Sequence, residues 1–207
     1  SAGAKSEEQS VRILFAGERL SVGGPGRVIE NLAVGMARMG HEVGIINMRP
    51  EPQVYSVDPR VEIMEIHTAH VDRYRVAPER FFALRRAIEK YRPDRVCAFC
   101  TEINNYTLWA TLGRRCTVIV SERSDPQIRP VLRSDRVRRD ISYTLLGRHL
   151  VFQTEDARAY FPERIRRLGA VIENPLNSDS LPLRGRGSGR VKLSPRRAWS
   201  RRRICPC

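Results

Sequence analysis

The feature that most constrains this chain is a regular alternation of two patterns. Short apolar runs of about four to eight residues, the length of a buried strand, alternate with segments whose apolar residues recur every three or four positions. Residues 11–17 (VRILFAG) form the first run, a buried strand. Residues 18–26 form a loop containing Ser21-Val22-Gly23-Gly24-Pro25-Gly26. A helix follows over 27–39, with Val28, Leu32, Met36 and Met39 on its apolar face, and Gly40 is placed to cap it. Residues 41–48 (HEVGIINM) make a second buried strand. Strand, helix and strand within about forty residues is the crossover unit of a parallel sheet. The alternation continues: strands over 61–67, 95–100, 116–121, 149–154 and 170–173, and helices over 78–91, 103–112, 130–146 and 155–161. Six or seven strands alternating with helices predict an α/β fold with an open, doubly wound, mostly parallel Rossmann-like sheet.

Composition narrows the class. Apolar residues make up 41% of the 207, enough for a core. No run approaches the roughly 20 apolar residues of a membrane span. The first ten residues are polar, so we expect a disordered leader over 1–10 and a cytoplasmic protein. Of the five cysteines, Cys97 and Cys100 have metal-pair spacing, but on one strand they would point to opposite faces. They are expected to be small core residues, with no metal site. The net charge of +14 is concentrated: residues 184–203 hold nine Lys/Arg and no acid, leaving +5 for the rest.

Open parallel sheets bind ligands beyond the carboxyl ends of their strands. Five polar clusters fall there: Gly23-Gly24-Pro25-Gly26-Arg27, Thr101-Glu102-Ile103-Asn104-Asn105, Ser121-Glu122-Arg123-Ser124-Asp125-Pro126, Gln153-Thr154-Glu155 and Glu173-Asn174-Pro175. The first offers a close backbone approach and a helix N-terminus, suited to an anion. It is a poor dinucleotide fingerprint, because Ile29 occupies the third glycine position and the loop is long. Singly, each cluster reads as a helix cap or a solvated turn. Together they describe a cleft floor of hydroxyls, amides and carboxylates, suited to a polyhydroxylated ligand.

The order of motifs resembles the N-terminal domain of family 4 glycosyltransferases of the GT-B fold. Gly23-Gly24-Pro25-Gly26-Arg27-Val28, Asn31-Leu32-Ala33 and Gly40-His41-Glu42-Val43 are similar to its opening. Ser121-Glu122-Arg123-Ser124-Asp125-Pro126, Val151-Phe152-Gln153-Thr154-Glu155 and Ile172-Glu173-Asn174-Pro175-Leu176 are similar to its later landmarks. The resemblance implies a retaining hexosyltransferase acting between two Rossmann-like domains. It would take a nucleotide-sugar donor and a glycan or lipid-linked acceptor in cell-surface polysaccharide synthesis. No cofactor and no bound metal are implied. Gly23, Gly24 and Gly26 would face the donor diphosphate. Arg27, Glu102, Asn104, Glu122, Arg123 and Asn174 would line the acceptor cleft. The histidine many relatives carry is replaced here by Ser121-Glu122-Arg123, so it does not transfer and no catalytic residue is assigned.

The resemblance covers 11–176. Residues 177–207 are expected to be a disordered basic tail of the composition an out-of-frame translation of a GC-rich gene would have. From this we expect a truncated or frameshifted gene, little transferase activity from the chain alone, and a separately encoded donor-binding domain as a possible partner. Two alternatives compete. The arginine tail would bind nucleic acid in a salt-dependent way, but Trp199 is its only aromatic, so no specific nucleic-acid partner is expected. Residues 129–148 alternate arginines (129, 133, 136, 138, 139, 148) with Ile128, Val131, Leu132, Val137 and Ile141. Such a helix can rest on anionic lipid as a peripheral contact at the inner membrane face.

Overall fold

The computed structural model describes residues 9–20, 24–50, 58–69, 73–123 and 132–173. The strands are β1 (Arg12–Gly17), β2 (Glu42–Asn47), β3 (Val61–Glu65), β4 (Arg95–Phe99), β5 (Thr117–Glu122), β6 (His149–Phe152) and β7 (Gly169–Val171). They form one sheet in the order β3-β2-β1-β4-β5-β6-β7, with every neighbouring pair parallel. The chain thus builds outward from β1 to β3, returns to the centre at β4, and builds toward the other edge.

The helices are α1 (Gly24–Arg38), α2 (Arg73–Tyr91), α3 (Thr101–Ala110), α4 (Arg133–Leu146), α5 (Glu155–Ala159) and α6 (Glu163–Arg166). Side-chain alternation along the strands splits the core in two. Ile13, Phe15, Val43 and Ile45 face α1 through Val28, Ile29, Ala33 and Ala37. Leu14, Ala16, Ile46, Val96, Ala98 and Val120 face the other way, onto Leu84 and Ile88 of α2, Ile103 and Leu108 of α3, Tyr143 of α4 and Ile165 of α6. Helices therefore cover both faces, which is the doubly wound arrangement. Each fully buried aliphatic side chain contributes roughly 1.5–3 kcal/mol. Gly44 lets β2 accept the Tyr91 ring, because a Cβ there would come within 2.8 Å of it.

The expected elements all occur, with corrections at their ends. α1 starts at Gly24, before the expected start at Arg27, because Pro25 is preset for a first helical turn, where its missing N–H costs nothing. Gly40 ends the helix with φ at 92°, as its position predicted. α2 starts at Arg73 and runs through Pro78, which is exposed and so leaves the broken hydrogen bond facing solvent. The helix expected over 155–161 is the shorter α5, ending at Ala159 before Phe161 turns into the core, and α6 follows beyond Pro162 as an unexpected element. Cys100 lies past the end of β4, not within it. Cys97 is packed against the α1 core, and burial pushes its thiol up to about 12. The expected tail, Cys205 and Cys207 within it, and residues 1–8 of the leader lie outside the described residues.

Candidate functional site at the carboxyl edge of the sheet

Because all strands run the same way, their carboxyl ends share one edge. Between β1 and β4 the strand order reverses. The chain leaving β1 goes to the α1 face, and the chain leaving β4 goes to the α3 face. This reversal opens a crevice, the usual ligand position in such sheets.

Two polar groupings sit there. The deeper one is a hydrogen-bonded network. Asn104 donates from Nδ2 to the Ser121 carbonyl at 3.1 Å, to Glu122 Oε1 at 3.3 Å and to the Tyr143 hydroxyl at 2.9 Å. Tyr143 donates to Glu122 Oε1, and Thr101 donates from Oγ1 to Glu122 Oε2 at 3.0 Å. Asn104, Glu122 and Tyr143 are all buried. Burial and the Glu122 carboxylate hold the Tyr143 phenol well above its ordinary pKa of 10, so it remains a donor. The network ties α3, β5 and α4 together beneath the edge.

The shallower grouping is ionic. Glu18 follows β1, Arg49 follows β2, Glu102 lies in the first turn of α3, and Arg80 comes from α2. Arg49 Nη1 lies 2.9 Å from Glu18 Oε1. Arg49 Nη2 and Arg80 Nη1 both approach Glu102, at 4.0 and 3.7 Å. Burial raises the Glu18 carboxyl above its ordinary value, with the Arg49 charge opposing it. Burial and the neighbouring Arg49 charge lower the Arg80 guanidinium. Asn47, buried at the end of β2, pins this corner. With its amide nitrogen turned toward them, it donates to the carbonyls of Arg49 (3.3 Å) and Glu18 (3.2 Å).

The residues singled out in the sequence fall as follows. Gly24 and Gly26 are in the first turn of α1, not in a loop. A Cβ at Gly26 would come 3.0 Å from the Arg19 carbonyl oxygen, so this glycine lets the helix pack on the loop after β1, while the space at Gly24 is open. Arg27 is exposed on α1 and Glu102 is exposed at the crevice. Arg123, just past β5, lays its guanidinium 5.3 Å from the Phe99 ring centre. Asn104 and Glu122 lie below the surface in the network. Thr154 caps α5, accepting from Ala157 N at 3.1 Å. Gly23, Asn174 and residues 124–126 lie outside the described residues. Sequence reasoning missed Glu18 and Arg49, although both directly follow buried strands and the same rule would have found them. It also missed Arg80 and Tyr143, which lie within helices and give no comparable signal.

Comparison with known proteins gives this edge a context. The sequence model of the glycosyl transferase 4-like domain matches residues 23–177. A curated relative from Campylobacter jejuni is 25% identical over 170 residues: "GalNAc-alpha-(1->4)-GalNAc-alpha-(1->3)-diNAcBac-PP-undecaprenol alpha-1,4-N-acetyl-D-galactosaminyltransferase". The match covers 80% of this chain and 46% of that protein, so the chain spans less than half the relative's length. Among solved structures, a glycosyltransferase from Rickettsia africae superposes with a TM-score of 0.63 at 17% identity, over 83% of this chain and 45% of that one. Anabaena HepE, solved in complex with UDP-glucose, superposes with a TM-score of 0.56 at 12% identity, over 80% and 44%. The sheet order, the two-faced helix packing and the family match converge: this chain belongs to the glycosyl transferase 4-like domain family, and its fold is one Rossmann-like half of the GT-B architecture.

Proposed function

We propose that this chain forms the acceptor-side half of a hexosyltransferase that moves a sugar from a nucleotide-sugar to a glycan or lipid-linked acceptor in cell-surface polysaccharide synthesis. The observation that carries this reading is the polar crevice at the strand-order reversal of a chain belonging to this family. In this reading the exposed start of α1 at Gly24 turns the positive end of the helix toward the donor diphosphate. Glu102 and the arginines at 27, 49 and 123 provide hydrogen-bonding groups for acceptor hydroxyls. Asn104 and Glu122 act from below, holding α3 and β5 in register. The transfer needs no bound metal, because backbone N–H groups and guanidiniums meet the charge of the leaving diphosphate. A second Rossmann-like domain, as the family resemblance implies, provides the nucleotide side. Orientation of donor against acceptor accounts for much of the rate, on the order of 7–11 kcal/mol in well-ordered cases.

The reading includes peripheral membrane contact, carried by a separate observation. Val137, Ile141 and Leu145 form one stripe on α4, 51%, 48% and 58% exposed. Arg133, Arg136 and Arg138 are exposed beside it, and Trp109 of α3 is partly exposed, donating its indole N–H to Ser142 Oγ at 3.0 Å. Arg139 is the exception to the expected basic face. It turns inward, 4.3 Å from the Phe161 ring centre and bonded to Asp140. An exposed apolar stripe flanked by arginines matches an anionic lipid surface. No described helix is long and apolar enough to cross a membrane.

The test has two parts. Saccharide binding to the protein is measured by saturation-transfer NMR with lipid-free oligosaccharides. Transfer is measured in membranes of expressing cells with labelled nucleotide-sugars. Binding together with label in the lipid-linked or polysaccharide fraction supports the reading. A protein that binds no saccharide overturns it.

A further inference from the structure

The ionic corner of the crevice is not charge-paired in the way a purely structural cluster is. Arg80 is nine-tenths buried, yet its one ion pair among the described residues, to Glu102, spans 3.7 Å, beyond direct hydrogen-bond reach. Its buried Nε has no hydrogen-bond partner, and the same holds for Nε of Arg49. Arg49 faces Glu18 with Nη1 as an ion pair at 2.9 Å, without a hydrogen bond to that oxygen, and holds Nη2 4.0 Å from the same Glu102. Two guanidiniums thus converge on one carboxylate without bonding it. A guanidinium carries five donors in a fixed fork, and a buried one left unmet, as Nε of Arg80 is, is costly. Glu102 itself is about half exposed, so the gap opens to solvent. The arginines are held in place: Asn47 fixes the backbone at Arg49, and α2 packing fixes Arg80.

We propose that Arg49 and Arg80 form a subsite for a phosphate or diphosphate group, with Glu102 as the exposed carboxylate the ligand displaces. A tetrahedral dianion brings several acceptor oxygens to a gap where two donor forks already point, and pairs bidentately with guanidinium. The position at the β1–β4 reversal puts this anion beside the proposed acceptor cleft. The inference rests on the transferase reading for its biological source, which is the diphosphate of a lipid-linked acceptor or that of the donor nucleotide.

The experiment titrates the full 207-residue protein with inorganic pyrophosphate by calorimetry. Arg49→Gln and Arg80→Gln are each expected to weaken binding at least about tenfold, the loss of one charged hydrogen-bond pair. Glu102→Gln is expected to tighten it several-fold by removing the competing carboxylate, an effect a merely structural ion cluster does not give. Unchanged affinity in both arginine variants, or weaker binding in Glu102→Gln, overturns the subsite. Circular dichroism checks each variant. Should Arg80→Gln fail to fold, the more exposed Arg49→Gln carries the result together with Glu102→Gln. Competition then distinguishes the sources: farnesyl diphosphate displacing pyrophosphate assigns the lipid acceptor, UDP displacing it assigns the donor, and displacement by neither overturns the proposal. Saccharide binding measured in parallel separates the two readings. Lost pyrophosphate binding with intact saccharide binding removes only the subsite, and the converse removes only the transferase reading.

Discussion

The two polar groupings at the carboxyl edge each gather around a glutamate and behave differently. In the network beneath the edge, Asn104, Thr101 and Tyr143 surround Glu122 with direct hydrogen bonds and exclude solvent. In the ionic corner, Glu102 is approached by two arginines without a direct bond and stays open. A buried carboxylate with its oxygens met by donors stabilises a fold and has little capacity left for a ligand. A half-open carboxylate with loosely placed cations adds little to stability and keeps its donors available. A glutamate at this edge therefore does not reveal its role by type alone; the state of its partners separates the two.

The largest expected effect tests the buried side of this contrast. Asn104→Leu removes the donations to the Ser121 carbonyl, Glu122 and the Tyr143 hydroxyl and sets an apolar side chain beside the buried Glu122 carboxylate, which keeps only Tyr143 and Thr101 as donors; it should cost about 3 kcal/mol in urea unfolding. A loss below about 1 kcal/mol, the net worth of an ordinary hydrogen bond, would show that the network is not a stabilising element. Tyr143→Phe should cost about 2 kcal/mol and change the alkaline limb of stability. The folded phenol titrates above its ordinary value of 10. Its contribution is thus complete below pH 10 and lost as pH rises through the folded value. Tyr91, raised to about 12, and Tyr106 share that limb, so the variant should flatten it only in part.

Smaller effects belong to the open side. Glu18 is raised above 4.5, so the proton it keeps in the fold stabilises below that pH, and the contribution is lost as pH rises through the folded value. Glu18→Gln keeps a neutral group there at all pH values. It should remove part of the decline in urea midpoint between pH 4.5 and neutrality, and an unaltered pH profile would contradict the assignment. Arg49→Gln removes the cation facing the buried Glu18, whose carboxyl is already raised by burial and can take up a proton in its place, so stability should fall by no more than about 1 kcal/mol; a larger loss would place the corner among the structural elements. Smallest in stability is the outer face of α4. Val137→Ser with Ile141→Ser should stay within about 0.5 kcal/mol of the parent while abolishing flotation with anionic liposomes. Retained flotation would remove the lipid surface from the reading.

Much of this was legible in residue order. Strand and helix periods placed the parallel sheet, because buried strands in such sheets are continuous apolar runs and need no partner to be recognised. The rule that loops after strands carry function located Glu102, Glu122 and Arg123 at one edge. The rule has no depth coordinate, however. Whether Glu122 points into the core or into the crevice depends on β5 running one residue further than its apolar run, and on Tyr143, 21 residues away, reaching it. Arg80 was invisible for a related reason: an arginine within a helix reads as a solvated face until the packing of α2 against α3 is known. On α4 the pattern showed a basic amphipathic helix, but not that Arg139 faces inward while the apolar stripe faces out.

One backbone detail reaches further than its size. Cys100 sits between β4 and α3 with φ at 73° and ψ at 145°, a conformation nearly reserved for glycine. It lets the chain pass from strand to helix with no intervening loop, which delivers Thr101, Glu102 and Asn104 directly to the edge. Tolerance to replacement at this position is therefore governed by shape and not by the thiol: glycine is the natural substitute, while alanine or serine keeps the penalty. A library randomised at residue 100 and selected for folding would enrich the smallest side chain, the reverse of what a buried apolar position ordinarily selects.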